Sequence, residues 1–387
     1  MSATVPISHE TVAAPLRPRP PAHARVAVLG ASGYAGQEFA RLAATHEGIT
    51  LVALASREHA GRPAAEMLPG LDPRNGHWPQ VCAPDSLAEL AREGAFDTLV
   101  VALPHGAWRQ LADAEPDLAS LPLRVLDLSS DHRDGTHGYR YGLPEMARDA
   151  IAPATRVANP GCYPTAATLA LLPIAERRLF AGPISITALS GVSGAGRSPN
   201  LRTSFVELEG GAAIYRAGTA HPHVAEMERN LHTIATTAHE SGLAASRTAG
   251  ARGAPPGRPT AATRLPRIPI GFVPQLAPMA RGILLSATAP LATLVTPDDV
   301  HALYVRRFAN ETFVRVLDPG QWPETRLVRG SNRCDLAVST LHDGRTLLVT
   351  AAIDNLVKGA AGQALQNLNL MLGWPEDWAL PVHGTPW

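Results

Sequence analysis

A cysteine at a predicted strand-to-helix turn is the first candidate for chemistry in this sequence. Cys162 lies in the segment VANPGCYPTAATLALLP (157–173), and Pro164 suits the first turn of a helix, because the N–H that proline lacks has no partner there. The free N–H groups and the dipole of a helix N-terminus lower the pKa of a thiol and stabilise a developing oxyanion. We therefore predict that Cys162 is a nucleophile and that Pro173 kinks or ends the helix that follows.

Two histidines offer the acid–base partner that a thiolate nucleophile needs. The segment TAHPHVAEMERNL (219–231) places His221 and His223 on a polar turn ahead of a helix. We predict that His221 handles the proton and that His223 contacts the substrate, and spacing alone leaves the two roles open to exchange. No other group of side chains has the spacing of zinc ligands, so no metal site is predicted.

A glycine-rich turn near the N-terminal end predicts a dinucleotide site. GASGYAG (30–36) follows the β-branched run RVAVL and opens a helix, so a pyrophosphate can approach the helix N-terminus closely. The cofactor contacts predicted here are Gly30, Ser32, Gly33, Tyr34 and Gly36. The next strand ends at Ser56 and Arg57, with no carboxylate before Glu58. An arginine at this place suits the 2′-phosphate of NADP, so we predict NADP as the cofactor, bound in part by Ser56 and Arg57.

Later loops supply further binding candidates. LSGVSGAGRSPN (189–200) is rich in Gly and Ser and can hold phosphate through its backbone N–H groups. DLSSDHRDG (127–135) and ALPHGA (102–107) follow strands, at the end of the sheet where α/β proteins bind ligands. The cofactor contacts predicted in these loops are Pro104, Gly191, Ser193 and Gly194. Arg133 and Arg197 are predicted to anchor the phosphate or a carboxylate of the substrate, because a guanidinium meets either group with paired hydrogen bonds.

The order of predicted elements indicates an α/β protein with two domains. Strands alternate with helices in the first part of the chain, which predicts a Rossmann-type, doubly wound parallel sheet. Strand-like alternation and hairpin turns such as HDGR predict a second α+β domain. The predicted boundaries are a disordered leader (1–23), a cofactor domain (24–160) completed by a C-terminal helix (357–374), and a catalytic and oligomerisation domain (161–356) with a flexible insertion (240–263).

The composition narrows the classes of partner. The chain has 387 residues, with 34 basic and 34 acidic side chains, so its formal net charge is zero. Neither a nucleic acid nor a membrane is therefore expected as a partner, and no apolar run approaches the ~20 residues of a membrane span. Three cysteines cannot all pair. A reducing cytoplasm is the simplest setting, and Cys82 and Cys334 are interpreted as buried apolar side chains.

Seven motifs together resemble a known family. In chain order they are GASGYAG, ALPHG, DLSSDHR, NPGCYPTA, SGVSGAGR, RGIL and AIDNLVKGAAGQALQNLN. They resemble the motifs of the N-acetyl-γ-glutamyl-phosphate reductases, which belong to the semialdehyde dehydrogenases. The resemblance runs from about Arg25 to Trp374. It implies a glyceraldehyde-3-phosphate-dehydrogenase-like fold and a homodimer or homotetramer.

The resemblance also implies roles for single residues. Cys162 corresponds to the catalytic cysteine, His221 or His223 to the general acid/base, and Asn355 to an asparagine near the nicotinamide. An acyl phosphate would form a thioester on Cys162, which NADPH would reduce to N-acetylglutamate semialdehyde in arginine biosynthesis. The chain departs from the family pattern H-R-H-x-P-E, since it has His-Pro-His-Val-Ala-Glu, and it has Gln275 where the family commonly has histidine.

Other functions stay open on the sequence. A sister reductase in lysine synthesis acts on a carrier-protein-linked aminoadipyl phosphate and shares the IDNLVKGAAGQAL motif. Aspartate-semialdehyde dehydrogenase is a further alternative. A non-catalytic NADP-binding sensor would keep the glycine turn but has no use for a reactive cysteine, so its thiol should react slowly.

Overall fold

The computed structural model describes residues 23–68, 70–72, 78–198, 200–249 and 267–385. All of the predicted leader 1–23 except His23 therefore lies outside the described residues. Within them the chain forms two seven-stranded sheets, one after the other along the sequence.

The first sheet is parallel throughout, with strand order β3-β2-β1-β4-β5-β7-β6. Its strands are β1 (Ala24–Leu29), β2 (Ile49–Ala55), β3 (Val81–Cys82), β4 (Thr98–Val101), β5 (Arg124–Asp127), β6 (Arg140–Tyr141) and β7 (Arg156–Ala158). Its helices are α1 (Tyr34–Ala43), α2 (Ala64–Met67), α3 (Leu87–Arg92), α4 (Ala107–Ala114), α5 (Pro116–Ser120) and α6 (Pro144–Ile151). Val26 and Val28 point into one apolar cluster, and Ala27 and Leu29 point into another. The sheet is thus covered on both faces, which explains why its strands are continuous apolar runs.

The second sheet is mixed, with strand order β12-β13-β14-β11-β8-β10-β9. Its strands are β8 (Ile184–Ser190), β9 (Ala213–Ile214), β10 (Ile270–Leu276), β11 (Ile283–Pro290), β12 (Val314–Val316), β13 (Cys334–Leu341) and β14 (Thr346–Ile353). The predicted HDGR hairpin is confirmed, because β13 and β14 pair antiparallel across it. Its residues His342, Asp343 and Gly344 all have positive φ, as such a turn requires.

The helices in this half of the chain are α7 (Cys162–Glu176), α8 (Phe205–Leu208), α9 (Pro222–Ala249), α10 (Pro297–Phe308), α11 (Thr325–Val328) and α12 (Gly362–Met371). Of these, α7, α9 and α10 contribute side chains to the apolar cluster on one face of this sheet, whereas α12 packs on the first sheet. Helix α7 is buried on almost every side, from Tyr163 to Ala175. Pro164 lies in its first turn, as predicted, and the helix continues beyond Pro173 to Glu176, so the proline does not end it. Burial of the apolar side chains around Pro173 stabilises this last turn despite the hydrogen bond that the proline cannot donate.

The chain returns to the first domain at its C-terminal end. A π-helical turn (Val357–Ala361) leads into α12, and both pack with β1 and α1 in one apolar cluster. The fully buried Lys358 donates to Glu145 Oε1 at 2.6 Å and so joins this turn to α6. Helix α9 includes residues 240–249 of the predicted flexible insertion, and residues 250–263 lie outside the described ones.

Candidate active site

Cys162 is the first residue of α7, directly after the N-cap Gly161. No side chain accepts a hydrogen bond from the N-terminal N–H groups of this helix. These groups lie next to Cys162 and remain available as donors. Gly359 leaves the room that the cysteine needs, because a Cβ at Gly359 would lie 2.8 Å from Cβ of Cys162. The predicted position of Cys162 at a helix N-terminus is therefore confirmed.

The predicted low pKa of the thiol is not what the structure gives. Burial raises the pKa of Cys162 to about 11, and the charge of Arg133 and the backbone N–H of Tyr163 lower it only in part. Burial disfavours the thiolate more strongly than the helix N-terminus and the arginine favour it. A thiol with such a pKa would need a nearby proton acceptor to act as a nucleophile.

A buried carboxylate organises the residues around Gly161. Glu226 Oε1 accepts the backbone N–H of Gly161 at 3.0 Å and the hydroxyl of Tyr141 at 2.8 Å, and its Oε2 accepts Arg133 Nη1 at 3.1 Å. Burial alone would raise the pKa of Glu226, but Arg133, His223 and these hydrogen bonds lower it below its usual value. Glu226 is therefore an anion that ties α9 to the turn before the cysteine.

Arg133 is held by the protein itself. Besides Glu226, it donates through Nε to the carbonyl of Asn159 at 2.8 Å and through Nη2 to the carbonyl of Leu128 at 3.1 Å. It lies so close to the turn that a Cβ at Gly161 would be 2.8 Å from Arg133 Nη1. The predicted substrate anchor is thus a fixed cation next to the cysteine turn.

The two predicted histidines lie together at the start of α9, with ring centroids 4.8 Å apart. His223 approaches the cysteine turn, since a Cβ at Gly161 would be 2.6 Å from its Nε2. His221 is buried edge-on against Tyr163 and Phe272, and its Nδ1 accepts the backbone N–H of His223 at 3.2 Å. The neutral ring of His221 therefore carries its proton on Nε2.

Both imidazoles are neutral at pH 7. Burial and, less strongly, the charge of Arg216 lower the pKa of His221 to about 4, with Glu226 opposing the shift. Burial lowers the pKa of His223 to about 3, with Glu226 opposing the shift. A neutral imidazole can accept a proton from a thiol or donate its own N–H to a developing oxyanion.

A cleft of about 650 Å³ opens beside these residues. It is lined by basic side chains from three parts of the chain. They are His105, Arg109, Arg133, Arg216, His223 and Arg229. The acidic groups there are engaged by the protein: Asp131 accepts the backbone N–H groups of Gly106 and Arg109, and Asp134 accepts the hydroxyl of Thr136. The cleft therefore suits an anionic ligand.

The glycine turn after β1 fits a dinucleotide. Gly30 has φ +83°, and a Cβ there would lie 2.5 Å from the carbonyl oxygen of Ala102. A Cβ at Gly36 would lie 2.4 Å from the carbonyl oxygen of Gly30, so helix α1 can pack this closely on the turn only because residue 36 has no side chain. Gly33 is the N-cap of α1 and no side chain caps the helix. Uncapped N–H groups at a helix N-terminus bind a pyrophosphate well.

The second glycine-rich loop meets this turn. Arg197 Nη1 donates to the carbonyl of Ser32 at 2.8 Å. This arginine does not line the cleft described above and lies at the glycine turn, so its role as a substrate anchor stays a prediction. Ser56 Oγ donates to Ser32 Oγ at 3.1 Å, and Arg57 follows it with an exposed side chain.

Asn355 fixes the base of the second loop. Its Nδ2 donates to Ser193 Oγ at 3.0 Å, and its Oδ1 accepts the backbone N–H of Gly282 at 2.6 Å. Gly191 is packed so tightly that a Cβ there would lie 2.7 Å from Cα of Arg281. The loop that carries Gly194 is thereby held beside the glycine turn. Pro104 is exposed at the end of β4, two residues after Ala102.

Family models match both halves of the chain. The model "Semialdehyde dehydrogenase, NAD binding domain" matches residues 25–154, and "Semialdehyde dehydrogenase, dimerisation domain" matches residues 162–255 and 260–355. An N-acetyl-γ-glutamyl-phosphate reductase of Thermus thermophilus is 41% identical over 379 residues, which cover 92% of this chain and 99% of that protein. One of Acidothermus cellulolyticus is 39% identical, over 94% of this chain and 99% of the relative.

The chain belongs to the N-acetyl-γ-glutamyl-phosphate reductases of the semialdehyde dehydrogenase family. The family and the oxidoreductase class predicted from the sequence are thereby confirmed.

Solved structures of the wider family share the fold. Aspartate semialdehyde dehydrogenase II of Vibrio cholerae, complexed with ASA, has a TM-score of 0.66 at 16% identity and covers 91% of this chain and 98% of its own. The enzyme of Candida albicans with NADP has a TM-score of 0.60 at 16% identity, over 90% and 98%. At 16% identity this similarity confirms the predicted fold class but does not indicate the substrate.

Several site residues of this family member escaped sequence reasoning. Glu226 reaches the cysteine turn from α9, and Tyr141 of β6 donates to Glu226. Arg216 enters the cleft from the loop before His221, and Gly359 makes room for Cys162. The H-R-H-x-P-E pattern was a usable signal for Glu226, because this chain retains the glutamate while it loses Arg and Pro.

In the described part of the chain, no group of three or more His, Cys, Asp or Glu side chains could hold a metal ion, and no helix is long and apolar enough to cross a membrane.

Proposed function

We propose that this chain reduces N-acetyl-γ-glutamyl phosphate to N-acetylglutamate semialdehyde in arginine biosynthesis, with NADPH as reductant and release of phosphate. One observation carries the proposal: Arg133, His223 and Glu226 converge on the residue before Cys162, at the N-terminus of α7. The names of relatives that align over nearly the whole chain supply the substrate.

The first step makes a thioester. The Cys162 thiol gives its proton to a neutral imidazole of the histidine pair as its sulfur attacks the acyl carbon. The carbon–oxygen bond to phosphate breaks and phosphate leaves. Arg133, fixed beside the turn, stabilises the negative charge that develops in this step.

The second step reduces the thioester. When bound at the glycine turn, NADPH supplies a hydride to the thioester carbon. The N-terminal N–H groups of α7 and the Nε2–H of His221 are the donors suited to the oxyanion of the hemithioacetal. The carbon–sulfur bond then breaks, the aldehyde leaves, and Cys162 recovers its proton from the histidine pair.

We propose that NADP rather than NAD is the cofactor, bound through Gly30, Ser32, Gly33, Tyr34, Gly36, Ser56, Arg57, Pro104, Gly191, Ser193, Gly194 and Asn355. The exposed Arg57 follows the buried end of β2, where the 2′-phosphate of NADP would lie. Arg57→Ala should raise the KM for NADPH about tenfold and leave that for NADH unchanged, since a single charge-assisted contact is lost. Wild-type enzyme that prefers NADH would overturn this choice.

We further propose a homodimer or homotetramer that works in the cytoplasm. Residues such as Ser185, Thr187 and Ser286 alternate with the core residues of β8 and β11 and are exposed on the outer face of the second sheet. The dimerisation family model supports pairing of two copies through this domain. Light scattering should give twice or four times the chain mass, and a monomer at micromolar concentration would contradict pairing.

The three cysteines are free, which agrees with a reducing compartment.

Phosphate-dependent reduction of NADP with N-acetylglutamate semialdehyde, the reaction run backwards, tests the main proposal. Aspartate semialdehyde serves as the comparison substrate. Activity with the acetylated substrate alone supports the proposal. Activity with aspartate semialdehyde alone would overturn it, and folded enzyme that binds NADPH yet is inactive with both would favour a carrier-linked substrate or a sensor.

A further inference from the structure

Arg216 differs from the other cations of the cleft. It is exposed, and among the residues that the structure describes no carboxylate pairs with it. By contrast, Arg133 is paired with Glu226, Arg109 donates to the carbonyl of Asp131, and Arg229 Nη2 donates to the carbonyl of Arg133 at 3.0 Å. Arg216 is therefore the cation whose guanidinium is left for a ligand.

The backbone at Arg216 has a conformation that is unusual for a residue with a side chain. Its φ is +44°, in the left-handed region that a side chain with a Cβ seldom adopts. Such conformations persist where neighbouring contacts hold them, and they concentrate at binding sites. The contact here is made by Tyr215, whose hydroxyl lies 2.9 Å from that of Tyr163, the residue after Cys162. The loop is thus anchored to the catalytic helix one residue before the arginine.

The proposed substrate has two anionic ends. Its phosphate is on the reacting carbon and must lie next to Cys162, where Arg133 is fixed. Its α-carboxylate is separated from that carbon by three other carbons and needs a second cation elsewhere in the same cleft. Arg216 lines this cleft together with His223, and its charge acts on His221.

We propose that Arg216 binds the α-carboxylate of the N-acylated amino-acid substrate and so selects substrates that carry this group. The inference rests on the proposed function. The guanidinium would meet the carboxylate with two parallel N–H···O bonds, which a lysine ammonium cannot reproduce.

Two aldehydes that differ only in the carboxylate test the proposal. N-acetylglutamate semialdehyde carries it, and 4-acetamidobutanal lacks it. Arg216→Ala should lower kcat/KM for the first about 10- to 100-fold, the usual loss for a charge-assisted hydrogen bond, and leave that for the second unchanged. Arg216→Lys should recover only part of the loss. Alanine has the same Cβ as arginine, so the backbone strain is the same in the variant.

Arg202→Ala is the matched control, since Arg202 is an exposed arginine of the same segment that does not line the cleft. It should resemble wild type with both aldehydes. If Arg216→Ala weakens both substrates equally, or neither, the assignment of Arg216 is wrong although the proposed function stands. Wild-type enzyme that is inactive with N-acetylglutamate semialdehyde would instead overturn the proposed function itself.

Discussion

Substitution of Gly161 by alanine should displace side chains of the candidate site and lower activity much more than it lowers the stability of the fold. The new Cβ would lie 2.6 Å from His223 Nε2 and 2.8 Å from Arg133 Nη1. Since non-bonded heavy atoms prefer about 3.5 Å, the imidazole must retreat by about 0.9 Å. The backbone itself accepts alanine, because Gly161 has φ −68° and ψ 154°.

The expected effect is larger on catalysis than on stability. Overpacking of this kind costs about 1–3 kcal/mol of the free energy of unfolding. A displacement of about 1 Å at a reacting group costs about 100-fold in rate. We therefore expect Gly161→Ala to fold, to bind NADPH with unchanged Kd, and to lose about 100-fold in kcat/KM.

Urea denaturation, NADPH fluorescence titration and the phosphate-dependent assay measure the three quantities. Gly211→Ala is the matched control: Gly211 has no positive φ, and a Cβ there meets no atom within 4 Å among the described residues. That variant should be within about 0.5 kcal/mol of wild type. Wild-type kcat/KM in folded Gly161→Ala would refute the reasoning that His223 and Arg133 must stay where they are.

Three further predictions follow from the same contacts. Gly359→Ala places a Cβ 2.8 Å from that of Cys162, so kcat should fall about 100-fold while NADPH still binds; unchanged turnover would show that the cysteine has room to move. Alkylation of Cys162 by iodoacetamide, measured against Cys162→Ser, should rise about tenfold per pH unit from pH 7 to 10, because its pKa is about 11; a plateau near pH 8 would contradict the raised pKa. Burial lowers the pKa values of His46, His221 and His223 to about 4, 4 and 3. Between pH 6.5 and 4 the unfolded chain therefore binds more protons than the folded one, so Tm should fall as the pH drops through this range. A constant or rising Tm there would contradict the burial of these rings in the neutral form.

Local patterns in the sequence predicted the parts of the site that are local in the chain. The glycine turn after β1, the cysteine at the start of α7 and the two histidines at the start of α9 each depend on neighbours a few residues away. Helix α1 begins at Tyr34, directly after the N-cap Gly33, so the glycine turn does open a helix as predicted.

Contacts between distant segments were beyond the sequence. Glu226 reaches Gly161 across 65 positions, and Arg197 reaches Ser32 across 165. Periodicity places such residues on elements but does not say which loops meet. The same limit applies to the thiol pKa: the helix N-terminus is visible in the sequence, whereas the burial that outweighs it depends on how distant segments pack around Cys162.

We propose that Cys162 carries the acyl group between the two steps, and the covalent adduct itself can be trapped. Enzyme is mixed with N-acetylglutamate semialdehyde and NADP without phosphate, quenched in acid and analysed by peptide mass spectrometry. We expect a burst of about one NADPH per site and an N-acetylglutamyl thioester on Cys162, which added phosphate discharges with resumed turnover. Turnover with no adduct, or an adduct on another residue, would contradict it.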